Sequence, residues 1–470
     1  MENNRIKYLM KNTAIFTIAN MASKFISFFL IPIYTNVLST AEFGTIDLVT
    51  TITTVLLPIL TLNVMESVMR FNLDENADKE KISKIGIAML IFSAIIGVIR
   101  IPILREIEVT SGYEKYIYFY LISLAASQIF LCDLRGKEQL VSYSFGNVLN
   151  TILCALFNIL FLVQFNLGIK GYLLAYGMSN SIVAVYAFFI GKGYKSISTK
   201  IDFKIMFQML KYSIVLIPNS FMWWIMNSSD HIMVTSMIGV AANGVYSISY
   251  KLPTLISTIT GIFNQAWSYS AIKEEGTKDE EEYSNQIFIH MTAFSMIVGI
   301  AMLALIKPFL KVYVSDDYFE SWHYTPFLIV GCVYLTLATF MSTSYTVHKD
   351  SMGFLLSGIL GAIVNIVLNY VLINPLKIYG AAIATCISYV VVFFFRIRNT
   401  RKYIHYNIAN REFVLGSVML VISSILIYLD ILLCQIIQLL MIGIYAFYIR
   451  ELWIPLMNKT VNLVRIMRNR

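Results

Sequence analysis

Charge is scarce in this chain. Of its 470 residues only 14% are Asp, Glu, Lys or Arg, while 57% are hydrophobic; a soluble globular chain carries roughly 25% charge. That composition excludes water as the main solvent. Cysteine is scarce too. Cys132, Cys154, Cys332, Cys386 and Cys434 are scattered within or at the ends of apolar stretches, with no CxxC pair. This argues against disulfide or metal use and for packing as small apolar residues. His231, His290, His323, His348 and His405 are equally dispersed and show no zinc spacing. A glycine-rich phosphate loop, HExxH, GxSxG and paired-acid motifs are all missing. So is any water-facing stretch long enough to hold a catalytic site, and the chain reads as a non-enzyme that uses no cofactor. It also lacks a basic run with interleaved aromatics. The net charge of +8 therefore calls for no nucleic acid and suits a protein beside an anionic membrane leaflet.

What the sequence has in abundance is long apolar runs. A spanning helix needs about 20 mostly apolar residues, and such windows recur from residue 13 to residue 456. The polar gaps place helices at 12–37, 43–69, 84–104, 115–133, 139–165, 169–191, 205–237, 242–271, 284–306, 322–346, 352–374, 378–398, 412–430 and 433–456. The expected fold is an all-α integral membrane protein of about fourteen transmembrane helices. The first apolar stretch is too long for a cleaved signal and lacks a small-residue cleavage site. Segments 1–11, 70–84, 135–137, 192–211, 273–284, 348–351, 396–411 and 450–470 carry 27 of the 36 Lys and Arg residues; the alternate loops carry six. Because basic residues in short loops stay inside, the first set and both termini are expected in the cytoplasm.

The chain repeats itself. LSTAEFGTIDLV at 38–49 aligns with IGVAANGVYSIS at 238–249 at an offset of 200, matching Ala41 with Ala241 and Gly44 with Gly244; Lys11 and Lys211 share that offset. Hydropathy superimposes as well, which predicts two parallel six-helix lobes, 1–195 and 196–400. Helices 13 and 14 and a basic tail follow at 401–470. Parallel repeats of this kind typify transporters whose site lies between the copies.

KNTAIFTIANMASKFISFFLIPIYTNVLSTAEFGTIDLV near the start resembles the first two helices of Wzx-type polysaccharide flippases of the MATE-like flippase superfamily, with Glu42-Phe43-Gly44 as the E-[FY]-G turn. DHIMV at 230–234, NGVYSISYKLP at 243–253 and NQAW at 264–267 resemble the same family, with a departure at His231, where the family more often has Arg. The resemblance implies export of an undecaprenyl-diphosphate-linked oligosaccharide, for O-antigen or capsule, across a bacterial cytoplasmic (inner) membrane. The partners that go with this are membrane lipids, a coupling ion such as Na+ or H+, and polysaccharide polymerase machinery. The alternatives are an ion-coupled drug or cation antiporter of the same superfamily and a flippase for cell-wall lipid precursor.

Charges inside spans cost at least about 2.5 kcal/mol each and mark paths or sites. Lys24 lies on the order of 20 Å deep in helix 1 at 1.5 Å per residue. Lys251 is similarly remote in helix 8, and Asp47, Asp230 and His231 join them. All five fall on repeat-related helices, which predicts a shared central cavity with the lysines binding a diphosphate as point charges. The competing reading pairs Lys24 with Asp47 and Lys251 with Asp230 as ion pairs that lock helices together. Trp223, Trp224, Tyr246, Tyr250 and Trp267 stand on the same helices, where rings either stack on sugars or pack; Trp224 and Tyr250 join the expected cavity residues. Pro32, Pro58, Pro218 and Pro253 supply bends or hinges.

Overall fold

A backbone crossing hydrocarbon must satisfy every N–H and C=O within itself, and an isolated segment does so as a helix. The computed structural model describes residues 21–74, 77–106, 110–198, 200–429 and 431–452, without the side chains of 99–106, 219, 220, 222, 223, 226, 227, 265, 266 and 269. Among the described residues the chain is helical and contains no strand. Among the described residues nine helical spans are long and apolar enough to cross a membrane, and two further apolar helices, Met21–Val37 and Leu432–Tyr448, are shorter. Each expected span is mostly helix over its described part; residues 12–20, 430 and 453–456 fall outside the described residues.

Two compact units result. The first comprises Met1–Val245 and Tyr313–Tyr318. It contains α1 (Met21–Val37), α2 (Thr40–Leu60), α3 (Val64–Asn72), α4 (Lys79–Glu106), α5 (Glu114–Gly136), α6 (Leu140–Asn158), α7 (Gly168–Ile190), the single turn α8 (Gly193–Ser196), α9 (Phe203–Met237) and the first residues of α10 (Val240–Glu274). Its centre is α5, which packs on α3, α4 and α7 and buries Ile129 and Leu134. Residues 313–318 return to α1: the Tyr313 hydroxyl donates to the Phe28 carbonyl at 2.6 Å, and that of Tyr318 to the Leu38 carbonyl at 2.9 Å.

The second unit comprises Tyr246–Val312 and Phe319–Arg470. It holds most of α10 and of α11 (Glu280–Tyr313), the end of the short α12 (Asp316–Phe319), then α13 (Thr325–Val347), α14 (Ser351–Leu376), α15 (Ile378–Thr400), α16 (Arg411–Leu426) and α17 (Leu432–Tyr448). The three helices α13, α14 and α15 form its core, and α16 pairs with α17 through a Gln438 amide that donates to the Ser423 carbonyl at 2.8 Å. The compact units divide at Val245, whereas the repeat in the sequence led us to expect a boundary at 195/196.

Several boundaries differ from expectation for identifiable reasons. The single helix expected over 43–69 is two. Pro58 lacks an N–H, and Leu62 and Asn63 take left-handed backbone angles (φ 49° and 53°) that end α2 and restart the chain as α3. The loops expected at 307–322 and 396–411 are shorter, because α11 runs on to Tyr313 and α15 to Thr400. Loop composition cannot distinguish a charged last helical turn from a loop. Lys307, just past the expected helix 284–306, is helical.

Candidate functional site

The N-terminal turns of α2 and α10 meet at a pair of glycines. A Cβ on Gly44 would overlap the Val240 carbonyl oxygen, and one on Gly244 would overlap that of Thr40. The contact is reciprocal at the offset of 200 seen in the sequence, so the repeat alignment is also a geometric equivalence at this crossing. Just before it, Ser39 caps α2: its hydroxyl accepts from Glu42 N–H at 3.3 Å while the Glu42 carboxylate accepts the Ser39 N–H at 3.0 Å. This reciprocal capping box fixes where α2 begins.

Close approach of the backbones brings polar side chains of α2, α9 and α10 together. Asp47 Oδ2 lies 2.7 Å from His231 Nδ1. The Asn243 side-chain N–H donates to Asp47 Oδ2 at 3.1 Å and to the Gly44 carbonyl at 3.2 Å, and its Oδ1 lies 3.2 Å from the same imidazole nitrogen. Two side-chain oxygens thus face Nδ1. Asp230 Oδ1 accepts the backbone N–H of His231 at 3.1 Å. Asp230, His231 and Asn243 are buried, and the Asp47 side chain is 13% exposed.

Trp224 ties the same helices together deeper along their length. Its indole N–H donates to the Thr51 carbonyl at 2.9 Å, and its ring stacks on Phe221. Asp47, Asp230, His231 and Trp224 thus gather along the face shared by α2 and α9. Lys24 is exposed on α1, and among the described residues no ion pair joins it to Asp47. In the second unit Lys251 is half-buried on α10, and the adjacent Tyr250 hydroxyl shares a 2.6 Å hydrogen bond with that of Tyr389. Trp267 stacks on Phe340 inside the same unit, in a packing role. The Trp223 side chain lies outside the described residues.

Three polar residues escaped the sequence reading. Asn243 sits in a quoted motif but reads as the polar half of an Asn-Gly pair at a turn. Lys137, expected in a cytoplasmic loop, is 11% exposed: its ammonium reaches Asp133 Oδ2 at 2.6 Å, Ser83 Oγ at 2.8 Å and the Gly191 carbonyl at 2.8 Å. Asp133 Oδ1 in turn accepts from Asn72 and Ser83, so the cluster joins α3, α4, α5 and the end of α7. Arg396 is buried in α15, where it donates to Ser357 Oγ at 3.1 Å and the Ala338 carbonyl at 2.8 Å. The i,i+4 spacing of Asp133 and Lys137 was the available signal for the second; nothing in the sequence marked the third.

Comparison with known proteins follows the same lines. The profile of the family described as "Polysaccharide biosynthesis protein" matches residues 9–269. An uncharacterized membrane protein of Methanocaldococcus jannaschii is 24% identical over 267 residues, 52% of this chain and 62% of that protein. The chain therefore matches less than two thirds of that relative's length. Among solved structures, the lipid II flippase MurJ in an inward closed conformation superposes with a TM-score of 0.64 at 14% identity, covering 93% of this chain and 99% of MurJ. An inward-facing multidrug resistance MATE family transporter of the MOP superfamily gives 0.62 at 13% identity, covering 82% and 96%. At these identities the likeness establishes the fold.

Proposed function

Because the chain belongs to the polysaccharide biosynthesis protein family and has the fold shared by MurJ and the MATE transporters, we propose that it flips an undecaprenyl-diphosphate-linked oligosaccharide across a bacterial cytoplasmic membrane by alternating access, for surface polysaccharide biosynthesis. The family match over 9–269 carries this reading. It includes both deep lysines, Lys24 and Lys251, which we assign to the substrate diphosphate. A lipid-diphosphate headgroup cannot cross hydrocarbon unaided, since burying unpaired charge costs many kcal/mol; fixed cations beside a water-filled path lower that cost. Lys24 is exposed on an apolar helix, and a charge facing lipid there costs at least about 2.5 kcal/mol, so we assign its exposed side to water. The offset of 200 carries Lys24 onto Trp224 and Lys251 onto Thr51. The lysines thus occupy, one in each repeat, the counterparts of two residues that are hydrogen-bonded to each other, Trp224 to the Thr51 carbonyl. Trp224 and Tyr250 offer ring edges and faces to the sugar.

An antiporter for cationic solutes would need carboxylates available to its substrate. Asp47 is engaged by His231 and Asn243, which favours the anionic substrate. Deleting the gene should make an undecaprenyl-linked intermediate accumulate on the inner leaflet. In reconstituted vesicles Lys24→Ala or Lys251→Ala should abolish flipping with the protein still folded, while Lys→Arg should keep part of it, because charge survives and headgroup geometry does not. Near-normal flipping by Lys24→Ala would remove Lys24 from the site.

A further inference from the structure

The seam between α10 and α13 in the second unit carries hydroxyl pairs, Thr260 Oγ1 with Thr336 Oγ1 at 3.3 Å and Ser268 Oγ with Thr343 Oγ1 at 3.4 Å. Asn264 stands midway, four residues from Thr260 and four from Ser268. Its amide nitrogen and oxygen are both enclosed and both without a hydrogen-bond partner, the one such case among the described residues. One turn on, the Trp267 ring packs on Phe340 at 4.8 Å, yet its indole N–H is enclosed and unpaired as well. Asn264 is 9% exposed and Trp267 4%. Burying a polar group without a partner is costly, and an apolar group of the same shape avoids that cost. Leucine would fill the place of Asn264, so packing does not account for the amide. Thr260 and Phe263, one turn before Asn264 and Trp267 on α10, line a cavity of about 360 Å³ whose other wall is Ile287, Met291 and Phe294 of α11. Mainly apolar walls with a few polar groups beside them suit a small amphipathic group.

We propose that Asn264 and Trp267 form a subsite for an acetamido-bearing sugar of the transported glycan. The proposal rests on the flippase reading, in which α10 also carries Lys251. Thirteen residues of helix separate Lys251 from Asn264, about 20 Å at 1.5 Å per residue, so the sugar read here is one remote from the diphosphate. Asn264 offers two N–H donors and an acceptor oxygen, and Trp267 one N–H donor. An acetamido carbonyl takes N–H bonds from Asn264 and Trp267, a neighbouring ring hydroxyl donates to Asn264 Oδ1, and the methyl group enters the apolar cavity. An anion has nothing to donate to Oδ1, and a cation would meet three N–H donors. Gly261 lies within a turn of Asn264, and a Cβ there would meet nothing within 4 Å. Packing does not demand that glycine, which loosens a helix interior, and bending of α10 there opens the amide to the sugar. A site built to hydrogen-bond a substrate group rejects the analogue that lacks it, because its own polar groups are then left unpaired. The subsite thus selects among glycans.

The test uses the full-length protein in detergent and two soluble probes, chitotetraose and cellotetraose, which differ in carrying acetamido or hydroxyl at the same carbon. Calorimetry should show chitotetraose bound at least about tenfold more tightly. Asn264→Leu and Trp267→Phe should each bring chitotetraose down to the level of cellotetraose. Equal or absent binding of the two probes by the parent overturns the subsite, and so does a preference that survives Asn264→Leu. Thermal unfolding separates recognition from a structural role: Asn264→Leu should melt no lower than the parent, since it replaces an unpaired amide by an apolar group of its shape. A lower melting temperature would make the amide part of the fold and remove it from the subsite. Flipping of a fluorescent undecaprenyl-diphosphate oligosaccharide is measured in parallel. Flipping without an acetamido preference leaves the flippase reading standing and removes the subsite; a preference without flipping does the reverse.

Discussion

Gly44 and Gly244 show how little room single residues leave at the α2–α10 crossing. At either position the obstacle to a Cβ is a carbonyl oxygen of the opposing backbone, which cannot rotate away as a side-chain tip can. Gly44→Ala and Gly244→Ala should each cost about 1–3 kcal/mol as overpacking changes do, and since both act on one contact, the double variant should cost less than the two together. Thermal unfolding of the three variants in detergent measures this; additive losses would mean that the two approaches are independent. Lys137 makes a complementary case. Lys137→Met leaves the buried Asp133 carboxylate without its cation, and breaking such a pair from one side costs about 3–5 kcal/mol. Lys137→Met with Asp133→Leu should recover much of that stability. If the single variant unfolds like the parent, the cluster does not hold α3, α4 and α5.

Helix ends are set by side chains that stop or start the backbone. Asp350 caps α14 by accepting from Gly353 N–H at 2.8 Å, and its other oxygen takes the Lys402 ammonium at 2.7 Å, so one carboxylate fixes both the start of α14 and the segment after α15. The Lys402 ammonium, then the Gly353 N–H, hold the Asp350 carboxyl below the usual carboxylate range. A carboxyl lowered on folding contributes stability that is present above its unfolded value, about 3.9, and is lost as pH falls through the lower folded value. Hydrogen exchange at Gly353 and Phe354 should therefore quicken, beyond the intrinsic rate, only on acidification below that range. In Asp350→Ala it should be quick already at neutral pH. Equal protection in the variant and the parent at pH 7 would assign the start of α14 to packing alone.

For the whole molecule, the distribution of basic residues predicts orientation. Residues 74–80 and 274–282 should face the cytoplasm and 107–113 and 313–320 the outside. Single cysteines in a cysteine-free background, treated with a membrane-impermeant reagent in intact cells, read this directly. Strong labelling at position 278 would invert the topology and with it the direction of transport proposed here. Inversion would leave the helices, the repeat and the glycine crossing untouched, because none of those depends on which leaflet is inner.

The sequence by itself determined the solvent, the all-helical architecture and the repeat. A chain 57% apolar and 14% charged has to live in lipid, lipid admits only self-satisfied backbone, and the offset of 200 at Gly44 and Gly244 is written in the residues. It also picked out Asp47, Asp230, His231 and Trp224, since charges and indoles are conspicuous in apolar runs. Tertiary structure alone decided who partners whom. Asp47 takes His231 and Asn243 rather than Lys24, because the glycine crossing brings α2 against the α9–α10 turn, almost two hundred residues away in the chain. Lys137 looks like a loop cation in sequence but is mostly enclosed in the fold, and Arg396 at the end of its expected span is buried, because hydropathy averages over a window while burial belongs to one side chain. The break after Pro58 was likewise hidden, since two left-handed residues interrupt a helix without interrupting its apolar character.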